Sequence, residues 1–440
     1  MLACRLEAGA PFSEGQTIMS HTFSLEAARE MDAQDDLATF REHFVIDDPD
    51  LIYMDGNSLG RLPQATRERL HQLIDAEWGQ QLIRGWNAGW FTSPERIGDK
   101  MARLVGASDG EVVIADSTSV NLFKLALAAV LAQPTRNKIV TDDLNFPSDL
   151  YILQGLQRLA GRPLFIQVVK SADGIHGPVD DLAAAIDSDT ALVTLSHVTF
   201  KSGYLYDMAA INAIAHEAGA LTLWDLSHSA GSVGVALNRA NSDLAVGCTY
   251  KYVNGGPGAP AFLYVRRDLQ NRLGNPISGW MGQKDMFDFA PDYEPAAGIR
   301  QFITGTYPVL SLAAIEPGLD LLLEAGMDRL RTKSVRQTEY LIALWQRELQ
   351  PLGFSLHSPP EAQWRGSHIS LGHQDGFRID LAMINDVKVL PDFRPPDNIR
   401  LGITPLYSSF AEIWTAVHRI RRVMTEKLYE KYDPTGIVVT

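Results

Sequence analysis

Between about residues 95 and 265, short apolar, β-branched runs alternate with helical patterns, a rhythm that few folds accommodate. The runs are VVIA (112–115), KIVT (138–141), LFIQVV (164–169), ALVTLS (191–196), ALTLWD (220–225) and AFLYV (261–265). Helix-like stretches such as 119–132, 148–160 and 209–218 lie between several of them. Near-continuous apolar strands joined by helices predict an α/β fold, a mostly parallel sheet covered on both faces. Ligands bind such sheets outside the carboxyl ends of the strands, so functional residues are expected just after strands. A helical stretch from about 308 to 350, shorter strands such as HISL (368–371) and a last helix after Ser408 predict a smaller C-terminal α+β domain.

A chain of 440 residues exceeds one core and predicts two or three folding units. With a net charge of −14 and no Lys/Arg cluster, it offers no nucleic-acid footprint. No apolar run approaches the roughly 20 residues that cross a bilayer. Cys4 and Cys248 cannot build a disulfide framework or a zinc site, so no metal is expected and a reducing cytoplasm fits. The N-terminal MLACRLEAGAPFSEGQTIMS carries Arg and Glu where a secretion signal is apolar. The Ser/Thr-led amphipathic pattern after Met19 makes that residue a candidate translation start, with residues 1–20 expected as a disordered extension.

The segment GCTYKYVNGGPGAPAFLYV places Lys251, preceded by Tyr250, in a Gly/Pro-rich turn before a strand. A lysine among apolar and aromatic groups can lose its proton and act as an amine nucleophile, as a Schiff-base lysine must. Taken alone, the motif reads more readily as a surface lysine beside a glycine turn. The run ALTLWDLSHSAGSVGV changes that balance, because it ends a buried strand on Asp225 with His228 three residues on. A carboxylate there can pair with the pyridine nitrogen of pyridoxal 5'-phosphate and keep it protonated. The bland alternatives are a helix N-cap for Asp225 and a satisfied core histidine for His228. VVIADSTSVNLFKLALAAVLA supplies strand, polar turn and helix, so Thr118 and Ser119 can offer hydroxyls and a helix N-terminus to a phosphate. In NFPSDLY, Phe146 is a candidate aromatic plate for a planar ring and Asp149 its polar neighbour.

These residues resemble the kynureninases, a family of fold-type-I pyridoxal-phosphate enzymes. The similarity runs from about 50 to 410 through YMDGNSLGRLP, STSVNLFKLALAA, NFPSDLY, SHVTFKSGYLYDM, LWDLSHSAGSVGV, TYKYVNGGPGAPAFLYV, SGWMGQ, FITGTYPVLSLAA and IRLGITPLYSSF. It implies a seven-stranded, mostly parallel sheet sandwiched by helices. The expected units are an N-terminal segment (21–90) at the small domain and dimer interface, a large cofactor domain (91–325) and a small α+β domain (326–440). It implies Lys251 as the cofactor lysine, Asp225 at the pyridinium nitrogen and Phe146 on the ring. Thr118, Ser119 and Tyr250 would hold the phosphate, Trp280 and Thr306 would reach in from the second subunit of a homodimer, and His228 and Asp149 would lie close by. Arg400 matches the family's clamp for a substrate α-carboxylate, a role that suits a bidentate guanidinium. Ser58, Trp86 and Gly305 fall where the family contacts the aryl-ketone end of its substrate.

The implied reaction is hydrolytic β,γ carbon–carbon cleavage of L-kynurenine, or its 3-hydroxy derivative, to anthranilate and L-alanine in tryptophan catabolism and NAD biosynthesis, with Tyr250 as a proton donor. The rivals are four, one of them a non-catalytic sensor that keeps the fold and binds the cofactor without turnover, which sequence alone does not separate. A desulfurase needs a mobile thiol well beyond the lysine, which neither cysteine provides. An aminotransferase would use the same lysine and aspartate, so only half-reaction products separate it. A dinucleotide-binding protein wants its glycines directly after the first strand, whereas GGPG precedes a strand here.

Overall fold

A computed structural model describes residues 23–433; the expected extension over residues 1–20, the Met19 start and Cys4 lie outside the described residues. Seven strands form the central sheet: β1 (Val112–Ile114), β2 (Lys138–Asp142), β3 (Phe165–Val169), β4 (Thr190–Ser196), β5 (Leu221–Asp225), β6 (Leu244–Gly247) and β7 (Phe262–Val265). Their order is β1-β7-β6-β5-β4-β2-β3. The fold is the expected fold-type-I α/β architecture, and β2 to β6 pair in parallel. Strand β7 alone runs antiparallel, to both β1 and β6.

That reversal positions the site. A parallel sheet gathers its strand carboxyl ends along one edge, and an antiparallel strand brings its amino end to the same edge. The 248–261 turn between β6 and β7 therefore lies beside the end of β5, where Asp225 pairs with Ser196 of β4 on one side and Val246 of β6 on the other. Strand β6 is the one run absent from the sequence pattern. Its LAVG carries little β-branched signal, and its burial on both faces comes from tertiary packing.

The helices Thr118–Leu131, Pro147–Leu159 and Met208–Glu217 match the expected stretches to within a residue or two. The long helical stretch is broken at Gly326, whose φ of +79° ends one helix (Val309–Ala325) and starts the next (Met327–Leu344). Glycine is suited to that conformation because it lacks Cβ. A second core surrounds a four-stranded antiparallel sheet in which Asn398–Gly402 lies between Asp392–Arg394 and His368–Gly372. Helices Gly376–Val387 and Phe410–Thr425 cover it, the latter starting in a capping box between Ser409 and Glu412. The N-terminal segment joins this core, with Ile52–Tyr53 pairing in parallel with Val389–Leu390. Among the described residues no helix is long and apolar enough to cross a membrane.

Candidate active site

At the carboxyl edge of the sheet a cavity of about 220 Å³ opens between the two cores. Ten of the residues singled out in the sequence line it: Ser58, Thr118, Ser119, Phe146, Asp149, Asp225, His228, Tyr250, Lys251 and Arg400.

The Lys251 turn is held from behind. Gly60 N–H donates to the Tyr250 carbonyl at 2.8 Å, and a Cβ on Gly60 would fall 2.4 Å from the Lys251 carbonyl oxygen. Only glycine lets the N-terminal segment lie this close. Lys251 Nζ lies 2.8 Å from His228 Nε2. Burial first, then the charges of Lys251 and Arg400, hold His228 well below the usual histidine range, so the ring is neutral and accepts from the ammonium.

Asp225 is buried at the end of β5, where its Oδ1 accepts from Ser227 N–H at 2.8 Å. Asp149, in the first turn of Pro147–Leu159, is hydrogen-bonded to it. Burial raises both carboxyls, and the Asp225 charge raises Asp149 further, so Asp149 is the one that keeps the proton. Phe146 ends the approach to this helix with its ring 44% exposed, edge-on to Phe200 at 5.2 Å between centroids.

Opposite lies the helix start at Thr118. Ser117 caps it, its Oγ accepting from Val120 N–H, and Ser119 Oγ lies 3.0 Å from Ser148 Oγ. The turn is locked by buried Lys124, which donates to Asp116 Oδ2 at 2.7 Å and to the Phe302 carbonyl at 2.6 Å. Tyr250 is half-buried, and the adjacent Cys248 thiol, with burial, pushes its phenol up, so it stays protonated.

Arg400 comes from the small-domain sheet and is almost fully buried. Its Nε donates to Asp392 Oδ1 at 2.7 Å, Nη2 donates to Asp392 Oδ2 and to Ser58 Oγ at 3.1 Å, and Nη1 donates to the Phe200 carbonyl. Ser58 thus sits at the guanidinium end of the cavity. Sequence reasoning missed Asp392, which no motif marked, and Arg394, which lines the cavity five residues before the quoted IRLGITPLYSSF begins. It also missed Ser148, Ser196 and Ser227, each at or beside a residue or strand end already singled out, and Phe200, which lies inside the quoted SHVTFKSGYLYDM.

Four expected residues are not brought to this cavity within one chain. Trp86, Trp280 and Thr306 line a second, outward-facing cavity of about 480 Å³ with Phe287, and Gly305 is exposed with open space around it.

Sequence comparison resolves which fold-type-I enzymes this site resembles. The chain is 44% identical to a kynureninase of Pseudomonas fluorescens over 91% of its length and 95% of that protein. It is 43% identical to one of Burkholderia pseudomallei over the same shares. The chain belongs to the kynureninase family. A family profile described as the kynureninase C-terminal domain matches residues 330–420, the heart of the second core. Solved structures agree on the fold. The apo cysteine desulfurase of Thermococcus onnurineus NA1 superposes with a TM-score of 0.72 at 18% identity, covering 86% of this chain and 95% of that one. A C-DES mutant with glycine covalently linked to its PLP cofactor gives 0.75 at 18%, covering 85% and 97%.

Kynureninases are pyridoxal-phosphate-dependent hydrolases, and the donor set fits that cofactor. One cavity offers an amine at Lys251, a buried carboxylate at Asp225, a helix start with two hydroxyls, and an exposed ring at Phe146. A desulfurase thiol is missing among the described residues, since Cys248 is buried and burial raises its thiol.

Proposed function

We propose that this kynureninase-family chain hydrolyses the β,γ carbon–carbon bond of L-kynurenine, and of its 3-hydroxy derivative, giving anthranilate (or 3-hydroxyanthranilate) and L-alanine. The observation that carries the reading is that Lys251, Asp225 and Arg400, from three separated stretches, face one cavity. Pyridoxal phosphate, when bound, supplies an imine linkage to the substrate amine and an electron sink for negative charge at its Cα.

The chain's residues do the rest. Thr118 and Ser119, at the positive end of their helix, with Tyr250, hold the phosphate. Asp225 holds a proton on the ring nitrogen, and protonated Asp149 keeps Asp225 from being left unpaired. Lys251 Nζ, with neutral His228 2.8 Å away as its resting partner, would take the Cα proton and later return one proton to Cα. Water adds to the γ-ketone, and collapse of that hydrate releases the aryl acid. The remaining carbon takes a proton from the Tyr250 phenol, which stays protonated in this setting, and leaves as L-alanine. Arg400 receives the α-carboxylate.

The working unit is a homodimer with a shared site, completed by Trp280 and Thr306 of the second copy, while Trp86 and Gly305 meet the aryl end. The solvent-facing apolar group around the second cavity supports this, with Ile83 76%, Phe287 68% and Trp280 40% exposed in one chain. Beyond the second copy the partner is a small amino-acid substrate, the compartment is the cytoplasm, and the product feeds tryptophan catabolism and NAD biosynthesis. Anthranilate fluorescence after L-kynurenine is added to the coloured holoenzyme tests the reading. Formation of pyridoxamine phosphate without anthranilate would assign it to aminotransfer instead.

A further inference from the structure

The guanidinium of Arg400 is almost fully engaged. Of its five N–H donors, two go to Asp392, one to Ser58 and one to the Phe200 carbonyl, which leaves one on Nη1. A carboxylate gripped in bidentate fashion needs two. Arg394 lines the same cavity and is a third exposed. It forms an ion pair with Asp392 Oδ2 at 2.6 Å through Nη2 and donates to the Phe393 carbonyl at 3.3 Å, while its Nε is buried with no partner. Three of its donors are uncommitted.

Asp392, at 0% exposure, lies between the two guanidiniums and is braced by Ser58 Oγ at 2.9 Å. Without it two like charges would face each other in a desolvated wall. Burial alone would raise Asp392, but Arg400 and Arg394 outweigh it and hold the carboxyl below its ordinary range. The neighbouring Asp55 and Asp380 carboxyls are pushed up to about 7 and about 8 by burial and by Asp392, so neither offsets the second guanidinium in acid solution. The wall therefore carries two cations against one firmly ionised carboxylate, an imbalance matched by one monoanion.

We propose that Arg394 is a second substrate-binding residue that grips the substrate α-carboxylate together with the one free Nη1 donor of Arg400, and that Asp392 is the positioning residue that holds the two guanidiniums side by side. The inference rests on the amino-acid substrate class proposed above, not on which carbon bond is broken. On it, recognition of the carboxylate is shared between a buried arginine and one that is a third exposed.

The test compares wild-type, Arg394→Gln and Arg394→Lys holoenzymes for L-alanine and L-alaninamide binding by calorimetry, alongside L-kynurenine kinetics. Expected are a roughly 10- to 100-fold weaker L-alanine affinity in Arg394→Gln, an intermediate loss in Arg394→Lys, and alaninamide affinity within about twofold of wild type throughout. KM for L-kynurenine should rise more than kcat falls. Unchanged L-alanine binding in Arg394→Gln, or equal losses for acid and amide, would overturn the proposal. If the Gln variant fails to fold, the Lys variant carries the same acid-against-amide comparison. A wild-type protein that prefers L-alanine over its amide yet releases no anthranilate would remove the kynurenine reading and leave this inference standing.

Discussion

The ammonium of Lys251 and the imidazole of His228 meet at 2.8 Å inside the cavity, and burial keeps that imidazole neutral. A neutral partner leaves the amine free to exchange its proton with a substrate, where a charged one would repel it. His228→Asn keeps a short polar group but loses the ring acceptor. It is expected to retain the cofactor while lowering kcat by about 10- to 100-fold, read from steady-state kinetics beside the cofactor's visible spectrum. An unchanged kcat would mean that the contact is incidental.

Asp225→Asn keeps size and removes charge. The ring nitrogen would lose its proton, and kcat should fall by about 10²- to 10⁴-fold while the melting temperature holds or rises, because a buried charge is gone. Thermal unfolding by circular dichroism, beside anthranilate release, checks both halves.

Gly60→Ala would place a methyl 2.4 Å from the Lys251 carbonyl and 2.3 Å from Asn254 Oδ1. The turn must shift, at a cost of about 1–3 kcal/mol, and cofactor affinity should drop with stability. Cofactor release measured against denaturant midpoint separates this from a loss confined to chemistry.

Lys124→Met strands Asp116 and frees the Phe302 carbonyl behind the Thr118 helix start. Asp116 is partly exposed, so the expected loss is about 2 kcal/mol rather than that of a fully buried pair. Urea unfolding of apo and holo forms should show it in both, with phosphate-dependent cofactor binding weakened as well.

Asp380 has both carboxylate oxygens buried without a hydrogen-bond partner, and burial raises it to about 8. The unfolded chain releases this proton near pH 4, whereas the folded chain keeps it to about pH 8. Its contribution is therefore complete below pH 4 and is lost as pH rises towards 8. Asp380→Asn removes the dependence, so its melting temperature relative to wild type should climb between pH 5 and pH 8. Parallel curves would refute the assignment. The buried histidines act with the opposite sign. His197, lowered by burial to about 4, and His368, lowered to about 3, bind protons more weakly when folded, so stability falls as pH drops below about 6.5.

Much of this was legible in the chain itself because chemistry and local pattern coincided. Asp225 closes a continuous apolar strand, so pattern alone placed it at the carboxyl edge, whereas Lys251 joins it there because β7 runs antiparallel, a reversal that no local pattern marks. Strand β6 escaped because Ala and Gly there carry no pattern and only neighbours make it a strand. Arg394 and Asp392 escaped for a different reason: their meaning lies in one carboxylate set between two guanidiniums, a relation fixed by antiparallel pairing of Asp392–Arg394 with Asn398–Gly402 and not by spacing. Trp280 and Thr306 lie in segments that match the family, yet one chain leaves them at a separate, outward cavity.

The role of Lys251 is tested most directly by comparing wild-type holoenzyme with Lys251→Ala on L-kynurenine, followed by anthranilate fluorescence and alanine release. Equimolar anthranilate and L-alanine from wild type, and none from the coloured or cofactor-soaked variant, is the predicted result. A fully loaded wild-type enzyme that makes no anthranilate, or a Lys251→Ala enzyme that still does, would contradict it.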